Sequence, residues 1–232
     1  MKPNIIFTSF MVLISLCCWA QQDTVYQRGD GQWERPNLIT ANMSFQTFMD
    51  GNGFIKNEHV GHGNKLNIRY GGTYKRSFNK KHAMEVSISR LSTSFYHSGK
   101  DLQSFERGDY LGRYFWLFEA NYLYNLIQNR HIRIKGGIGA DFRHGSESFL
   151  VSASNLNGVY PESKFAGYRL NDIGLSTGME AEVRLFWHVH MTAKVEYTRF
   201  VFTYEKEKPR WDFDPGPTKN MLSFQLGLGY RF

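Results

Sequence analysis

The feature that most constrains the fold is a strict two-residue alternation that runs to the last residue of the chain. In FQLGLGYRF, residues 224–232, every second residue from Phe224 to Phe232 is aromatic or leucine, and the residues between them are polar or glycine. Such a stretch forms a β-strand with one apolar face. Because chain ends usually fray, an apolar face that reaches the terminus indicates that the end is held in an ordered sheet.

Seven earlier stretches show the same alternation. The predicted strands are residues 38–49, 64–76, 82–93, 111–126, 131–144, 169–186, 188–203 and 221–232. Most exceed ten residues, whereas strands of soluble proteins have about 5–6 residues. A tilted strand needs about 9–11 residues to cross a bilayer. The lengths therefore favour membrane strands.

The connections between these strands alternate between short and long. The short ones are SFNKKH, IQNR and the pair Trp187 and His188, and the long ones are residues 50–63, 94–110, 145–168 and 204–220. This order is typical of an up-and-down barrel with short turns at one end and long loops at the other. The sequence therefore predicts an all-β fold, an eight-stranded antiparallel up-and-down transmembrane β-barrel. Alternation alone does not say which face is inside, so a soluble lipocalin-like binder with an apolar cavity remains an alternative.

The N-terminal residues have the pattern of an export signal. Lys2 precedes an apolar run at 5–19 and the small residue Ala20, which predicts a signal peptide over 1–20. Lipid attachment at either cysteine of this run is disfavoured, because no small residue precedes them. Cleavage removes both cysteines and leaves a formal net charge one below the +7 of the full chain. We expect a periplasmic lead-in at 21–36 and the barrel at 37–232, and no nucleic-acid partner for an exported chain.

Charged residues fall on the face opposite the apolar one. The predicted interior charges are Arg69, Glu85, Glu119, Arg133, Lys135, Glu180, Glu182, Lys194 and Glu196. An eight-stranded barrel is just wide enough to be filled by side chains, and mixed charges in a narrow lumen favour ion pairing. We expect a largely plugged, polar interior, with a narrow channel for small solutes as the alternative.

The signal peptide, the eight alternating strands and the terminal LGLGYRF resemble the small eight-stranded outer-membrane barrels of the OmpA, OmpX and OmpW type. The resemblance implies a porin-like barrel in the outer membrane of a Gram-negative bacterium, in contact with its lipid and lipopolysaccharide. It also implies that Tyr230 and Phe232 form the signal read by the barrel-assembly machinery during insertion. The partner of the long loops is not predicted.

One catalytic pattern is considered. His144 ends a predicted strand and Ser146 follows it, where the strand is expected to leave the membrane; their spacing resembles the His-x-Ser of the barrel lipid A 3-O-deacylases, with Glu162 as a loose acidic partner. In that family the pair lies close to the C-terminus, so a solvated loop start is favoured here. No metal site and no cofactor are predicted. The sequence thus favours a non-enzymatic outer-membrane barrel that acts through its extracellular loops or in membrane integrity, with a lipid A-modifying enzyme as a further alternative.

Overall fold

A closed sheet of eight antiparallel strands forms the body of the protein. The computed structural model describes residues 35–49, 67–94, 110–129, 131–152, 164–203 and 218–232. The strands are β1 (Asn37–Met49), β2 (Asn67–Ser77), β3 (His82–Ser94), β4 (Tyr110–Gln128), β5 (Ile132–Ser152), β6 (Lys164–Phe186), β7 (Val189–Thr203) and β8 (Asn220–Arg231). Each pairs with its neighbours in sequence, and β1 pairs with β8. The predicted barrel is confirmed. The predicted signal peptide and nearly all of the lead-in lie outside the described residues.

The strands are strongly staggered. A row of paired residues that starts at Ile39 in β1 passes through all eight strands and returns to β1 at Met49, ten residues further along. Such a stagger implies a strand tilt of roughly 35–45°, as is usual for closed barrels. None of the described residues forms a helix long and apolar enough to cross a membrane.

The last residue of the chain closes the barrel. Phe232 donates its backbone N–H to the carbonyl of Asn37 at 2.9 Å and accepts from the Asn37 N–H at 3.1 Å. Its side chain lies outside, 43% exposed, and Tyr230 is 51% exposed on the same face. The alternation at the C-terminus therefore belongs to the strand that seals the seam.

The apolar faces of the strands point outward. In β1, Ile39 is 52% exposed, while Asn42 and Ser44 are buried inside. Side chains exposed on the outside include Tyr70, Ile88, Trp116, Ile138, Leu175, Met179, Leu226 and Leu228. Because the middle of the interior is charged, the lipocalin-like alternative, which requires an apolar cavity, does not fit this structure.

Three tight turns join strands at the end of the barrel that also carries the described chain ends. The Asn79 side chain accepts from the N–H groups of Lys81 and His82, and the Asn129 side chain caps the β4–β5 turn in the same way. In the β6–β7 turn Trp187 has a φ of 38°, an uncommon conformation for a bulky residue. We call this end the short-turn end and the opposite one the long-loop end.

The β5–β6 hairpin is longer than predicted. The sequence places strand ends at 144 and 169, but β5 continues to Ser152 and β6 begins at Lys164. Backbone pairing continues through Gly145 and Leu170 and through Ser146 and Arg169. Part of the predicted 145–168 loop is therefore sheet. Glycine and serine in this stretch resemble loop residues, but here they pair across strands.

Two adjacent glycines in β2 should respond differently to the same substitution. A Cβ at Gly71 would lie 2.3 Å from the Ile88 carbonyl oxygen and 2.7 Å from the Ser89 Cα, which are backbone atoms that cannot move aside. A Cβ at Gly72 would have its nearest neighbour at 3.6 Å. We expect Gly71→Ala to lower the free energy of unfolding by about 1–3 kcal/mol and Gly72→Ala to stay within about 0.5 kcal/mol of wild type. Urea titration of the barrel in detergent checks both, and equal effects would contradict this packing.

Candidate functional site

A continuous chain of alternating charges crosses the barrel interior. We call it the ion ladder, and its members in order of contact are Arg231, Glu182, Lys135, Glu180, Lys75, Glu85, Lys194 and Glu196. All are at most 5% exposed. They come from six of the eight strands, so the ladder ties opposite walls together.

Two lysines hold the centre of the ladder. The Lys135 Nζ lies 2.5 Å from Glu182 and 3.0 Å from Glu180, and the Lys75 Nζ lies 2.5 Å from Glu180 and 3.2 Å from Glu85. Each buried ammonium thus contacts two carboxylates, the arrangement that offsets the desolvation cost of buried charge. Among the described residues, the space beside the ladder near Gly137 and Gly178 is too narrow to hold a water molecule.

A group of three carboxylates lies next to the ladder. Oxygens of Glu119, Asp141 and Glu196 are within 4.8 Å of one another, and all three side chains are buried. Asp141 accepts from the hydroxyls of Ser176 at 3.0 Å and Thr198 at 2.7 Å. The group also has cationic neighbours, since Arg69 lies 3.1 Å from Glu119 and Lys194 contacts Glu196. These contacts favour a structural role for the carboxylates.

An apolar plug fills the interior at the long-loop end. Its members are Phe48, Leu91, Phe115, Leu117, Phe200 and Met221, each at most 2% exposed. Two guanidinium groups lie over its rings, Arg113 at 4.1 Å from the Phe48 centroid and Arg143 at 4.1 Å from that of Phe200. Such contacts add cation–π attraction to apolar burial. The plug therefore closes the lumen above the ladder.

The two plug arginines are also paired with buried acids. The Arg143 Nε donates to Asp172 at 2.6 Å and its Nη2 donates to the Thr218 carbonyl at 2.7 Å. Glu147 lies 3.4 Å from both Arg113 and Arg143. These contacts connect β4, β5, β6 and the residue Thr218 just before β8, so the plug and its charged rim form one packed layer.

The nine charged residues predicted for the interior are all buried there, each at most 5% exposed. Six of them belong to the ion ladder. Glu119 belongs to the carboxylate group, and Arg69 contacts Glu119. Arg133 is buried at the short-turn end, where it is paired in register with Glu182. The prediction of which residues face inward came from parity along each strand.

Among the described residues, no carboxylate joins the candidate catalytic His144 and Ser146. His144 and Ser146 lie within β5, which continues past the predicted strand end at 144, and both point outward. The His144 Nδ1 is 2.7 Å from the Asn171 Oδ1, and its ring stacks on Phe142 at 6.5 Å. Glu162 lies outside the described residues. The prediction that this pair marks a loop start is wrong, because pairing with β4 and β6 carries the strand further.

The residues that close the long-loop end were not among those predicted for the interior. Phe48, Phe115 and Phe200 are aromatic, and only charged residues were predicted for the interior. Their spacing along the strands was the available signal. Phe115 lies four residues before Glu119 and Phe200 four residues after Glu196, and an even separation places two residues on the same face of a strand. Extending the inward parity beyond Asp141 would also have identified Arg143 and Glu147.

Comparisons with known proteins give the fold and nothing narrower. No protein-family model and no curated protein matches the sequence. Neisserial surface protein A is similar over 84% of this chain and 97% of its own, at 11% identity and a TM-score of 0.50. Ail, the attachment invasion locus protein of Yersinia pestis, is similar over 85% of this chain and 99% of its own, at 16% identity and a TM-score of 0.48. OprG from Pseudomonas aeruginosa matches over 87% and 98%, at 12% identity and a TM-score of 0.47.

Proposed function

We propose that this chain, which has the fold of the small eight-stranded outer-membrane barrels, is an outer-membrane protein with a sealed lumen that acts through its outer surface and its long-loop end. Apolar side chains outside and charged ones inside suit a barrel in lipid. A closed barrel also satisfies its backbone hydrogen bonds between strands, which a bilayer requires. Outer-membrane barrels have short periplasmic turns and longer extracellular loops, so we place the short turns of this barrel in the periplasm.

The observation that carries the proposal is the double closure of the interior. The apolar plug blocks the long-loop end, and below it the ion ladder joins opposite walls with contacts such as that of Lys75 and Glu180 at 2.5 Å. Opening a path for hydrated solutes would require leaving several buried charges without partners, which is strongly destabilising. A sealed interior is therefore favoured over a narrow channel.

The outward position of His144 and Ser146 argues against the lipid A-modifying alternative. A nucleophile needs a base within hydrogen-bond reach and a third group that orients the base. Here His144 contacts an amide, Asn171, in place of a carboxylate. Within the described residues all carboxylate side chains are buried in the lumen, so none lies beside this histidine. A non-enzymatic barrel is the function that this geometry supports best.

Purified barrel inserted in a planar bilayer should give no discrete conductance steps. Insertion is verified by heat-modifiability, the change in gel mobility between unboiled and boiled samples, and location by membrane fractionation. A barrel with no free sheet edge resists detergent until heated. Reproducible single-channel steps from heat-modifiable protein would overturn the sealed lumen, and recovery of the native protein from the soluble periplasm would overturn the outer-membrane location.

A further inference from the structure

The three carboxyl groups beside the ion ladder differ in the contacts that their oxygens make. Both oxygens of Glu119 accept hydrogen bonds, one from the Arg69 Nη2 at 3.1 Å and the other from the Ser87 Oγ at 2.5 Å. The two oxygens of Asp141 accept from two buried hydroxyls, at 3.0 Å and 2.7 Å. Glu119 and Asp141 are therefore fully bonded as ionised carboxylates, which only accept hydrogen bonds.

The carboxyl group of Glu196 is bonded through one of its oxygens. Its Oε2 contacts the Lys194 Nζ and lies 3.4 Å from the Asn121 Nδ2. Among the described residues no donor lies within hydrogen-bond distance of its Oε1, although the side chain is only 3% exposed. A buried acceptor without a donor is costly. One proton on the Oε1 removes this cost, because the atom then becomes a donor.

Glu119 is the acceptor for such a proton. The side chains of Glu119 and Glu196 are close enough to form a hydrogen bond between their carboxyl groups. Two carboxylates contain only acceptors, so this hydrogen bond requires one proton. Two carboxyl groups that share a site hold a proton for the same reason in other proteins, since like charges at this distance repel. Geometry and hydrogen-bond inventory thus agree on one proton between these two side chains.

The surrounding charges do not neutralise three carboxylates. Among the described residues, the cations in contact with the group are Arg69 from β2 and Lys194 from β7, and Lys194 also contacts Glu85 from β3 at 2.9 Å. The nearest charged residues of β5 and β6, Arg143 and Glu180, have partners of their own. Residues paired in register around the group are neutral: Ser87, Gly174, Gly178, Ser223 and, next to Ser223, Gln46 of β1. Three carboxylates thus face two cations, one of them shared.

We propose that Glu196 holds one proton at neutral pH, that it shares this proton with Glu119, and that the proton keeps the lumen closed. The proton lies on the Glu196 Oε1 and is donated to the Glu119 carboxylate. A proton also suits the available space, because the described residues beside Glu196 leave no room for a water molecule. Because Arg69 and Lys194 already occupy oxygens of the group, a metal ion is disfavoured.

The protonated pair lies on walls that also carry the apolar plug. Phe115 is four residues from Glu119 on β4, and Phe200 is four residues from Glu196 on β7. Loss of the proton leaves three carboxylates whose oxygens lie within 4.8 Å of one another. Their mutual repulsion then acts on β4, β5 and β7 next to the plug. The closure of the lumen should therefore weaken as the pH rises.

The test compares two glutamine variants of the ladder in the full-length barrel folded in lipid vesicles. Glutamine has the shape of a protonated glutamate, and its amide donates to Glu119 as the proposed carboxyl group does. At neutral pH, Glu196→Gln should therefore keep the urea midpoint of unfolding close to that of wild type. Glu180→Gln is the matched control. It removes an ionised carboxylate between Lys75 and Lys135 and should lower the midpoint sharply.

The same titration is repeated between about pH 6 and pH 9, where glutamates of the unfolded chain are ionised. While Glu196 keeps its proton, the folded barrel binds one proton more than the unfolded chain, so stability falls as the pH rises. The unfolding equilibrium constant of wild type should increase about tenfold per pH unit relative to that of Glu196→Gln. Infrared spectroscopy at neutral pH should show the C=O band of a protonated carboxyl group in wild type and no such band in Glu196→Gln.

A heat-modifiability gel verifies the folded state of each barrel. Failure of Glu196→Gln to fold, or a loss of stability equal to that of Glu180→Gln, would overturn the proposal, because either result indicates an ionised Glu196. An unchanged pH dependence in Glu196→Gln, or wild type without the C=O band, would overturn it as well. These outcomes leave the sealed lumen at neutral pH standing, because conductance tests it separately.

Discussion

Replacing Glu182 with Met should lower the free energy of unfolding by about 3–5 kcal/mol, the usual cost of removing one partner of a buried ion pair. Glu182 is 0% exposed and contacts Lys135 at 2.5 Å, His190 at 3.0 Å and Arg231. Its loss leaves buried cations from β5 and β8 without this carboxylate. Urea unfolding of the barrel in lipid vesicles, followed by tryptophan fluorescence, measures the change.

A double-mutant cycle isolates the electrostatic part of this effect. Lys135→Met alone removes the other side of the contact, and the Lys135→Met/Glu182→Met double variant removes both charges. Because apolar replacement of a whole buried pair is often close to neutral, we expect the double variant to be less destabilised than the sum of the single ones. Additive effects, or a Glu182→Met cost below about 1 kcal/mol, would show that the ladder is not what holds these walls together.

Replacing Phe232 with Ala should sharply reduce the amount of barrel in the outer membrane and leave its folding in detergent nearly unchanged. The two hydrogen bonds between Phe232 and Asn37 are made by backbone atoms, so they survive the substitution. The ring itself lies on the outside, 43% exposed, and its removal opens no cavity inside. Quantitative immunoblotting of membrane fractions and refolding of purified protein measure the two properties.

Phe224→Ala is the control for this prediction. Phe224 lies on the same strand and face and is 48% exposed, so its loss removes a similar lipid-facing ring away from the terminus. If assembly reads the terminal aromatic pair, Phe232→Ala should lower membrane levels several-fold more than Phe224→Ala. Equal levels for the two variants would leave Phe232 with only its role in the seam.

Parity along single strands explains how much of the architecture follows from sequence. Once strand length and the order of connections indicate a membrane barrel, the two-residue period of each strand assigns its apolar face to lipid and Arg69, Glu85 or Lys194 to the interior. The order of short and long connections then gives the topology. These are local patterns, and a closed barrel of adjacent strands is built from local pairings.

The partners within the lumen depend on stagger, which no single strand reveals. Lys75 on β2 contacts Glu180 on β6 because the ten-residue stagger and tilt bring their side chains together across the interior. The length of β5 was missed for a different reason. Gly145 lies against the backbone of Phe115, where a Cβ would be 2.5 Å from the Phe115 Cα, so a residue typical of loops is required for close packing of strands.

The seam between β1 and β8 also determines how the chain reaches this structure. Asn37 and Phe232 lie at opposite ends of the described barrel sequence, and their pairing gives the fold a contact between residues almost the whole chain apart. Contacts of such high sequence separation slow folding, since loop-closure entropy is lost before they form. Until the last strand is added, β1 and the newest strand both present unpaired edges that favour aggregation. Unfolded chains therefore need protection until Asn37 and Phe232 have paired.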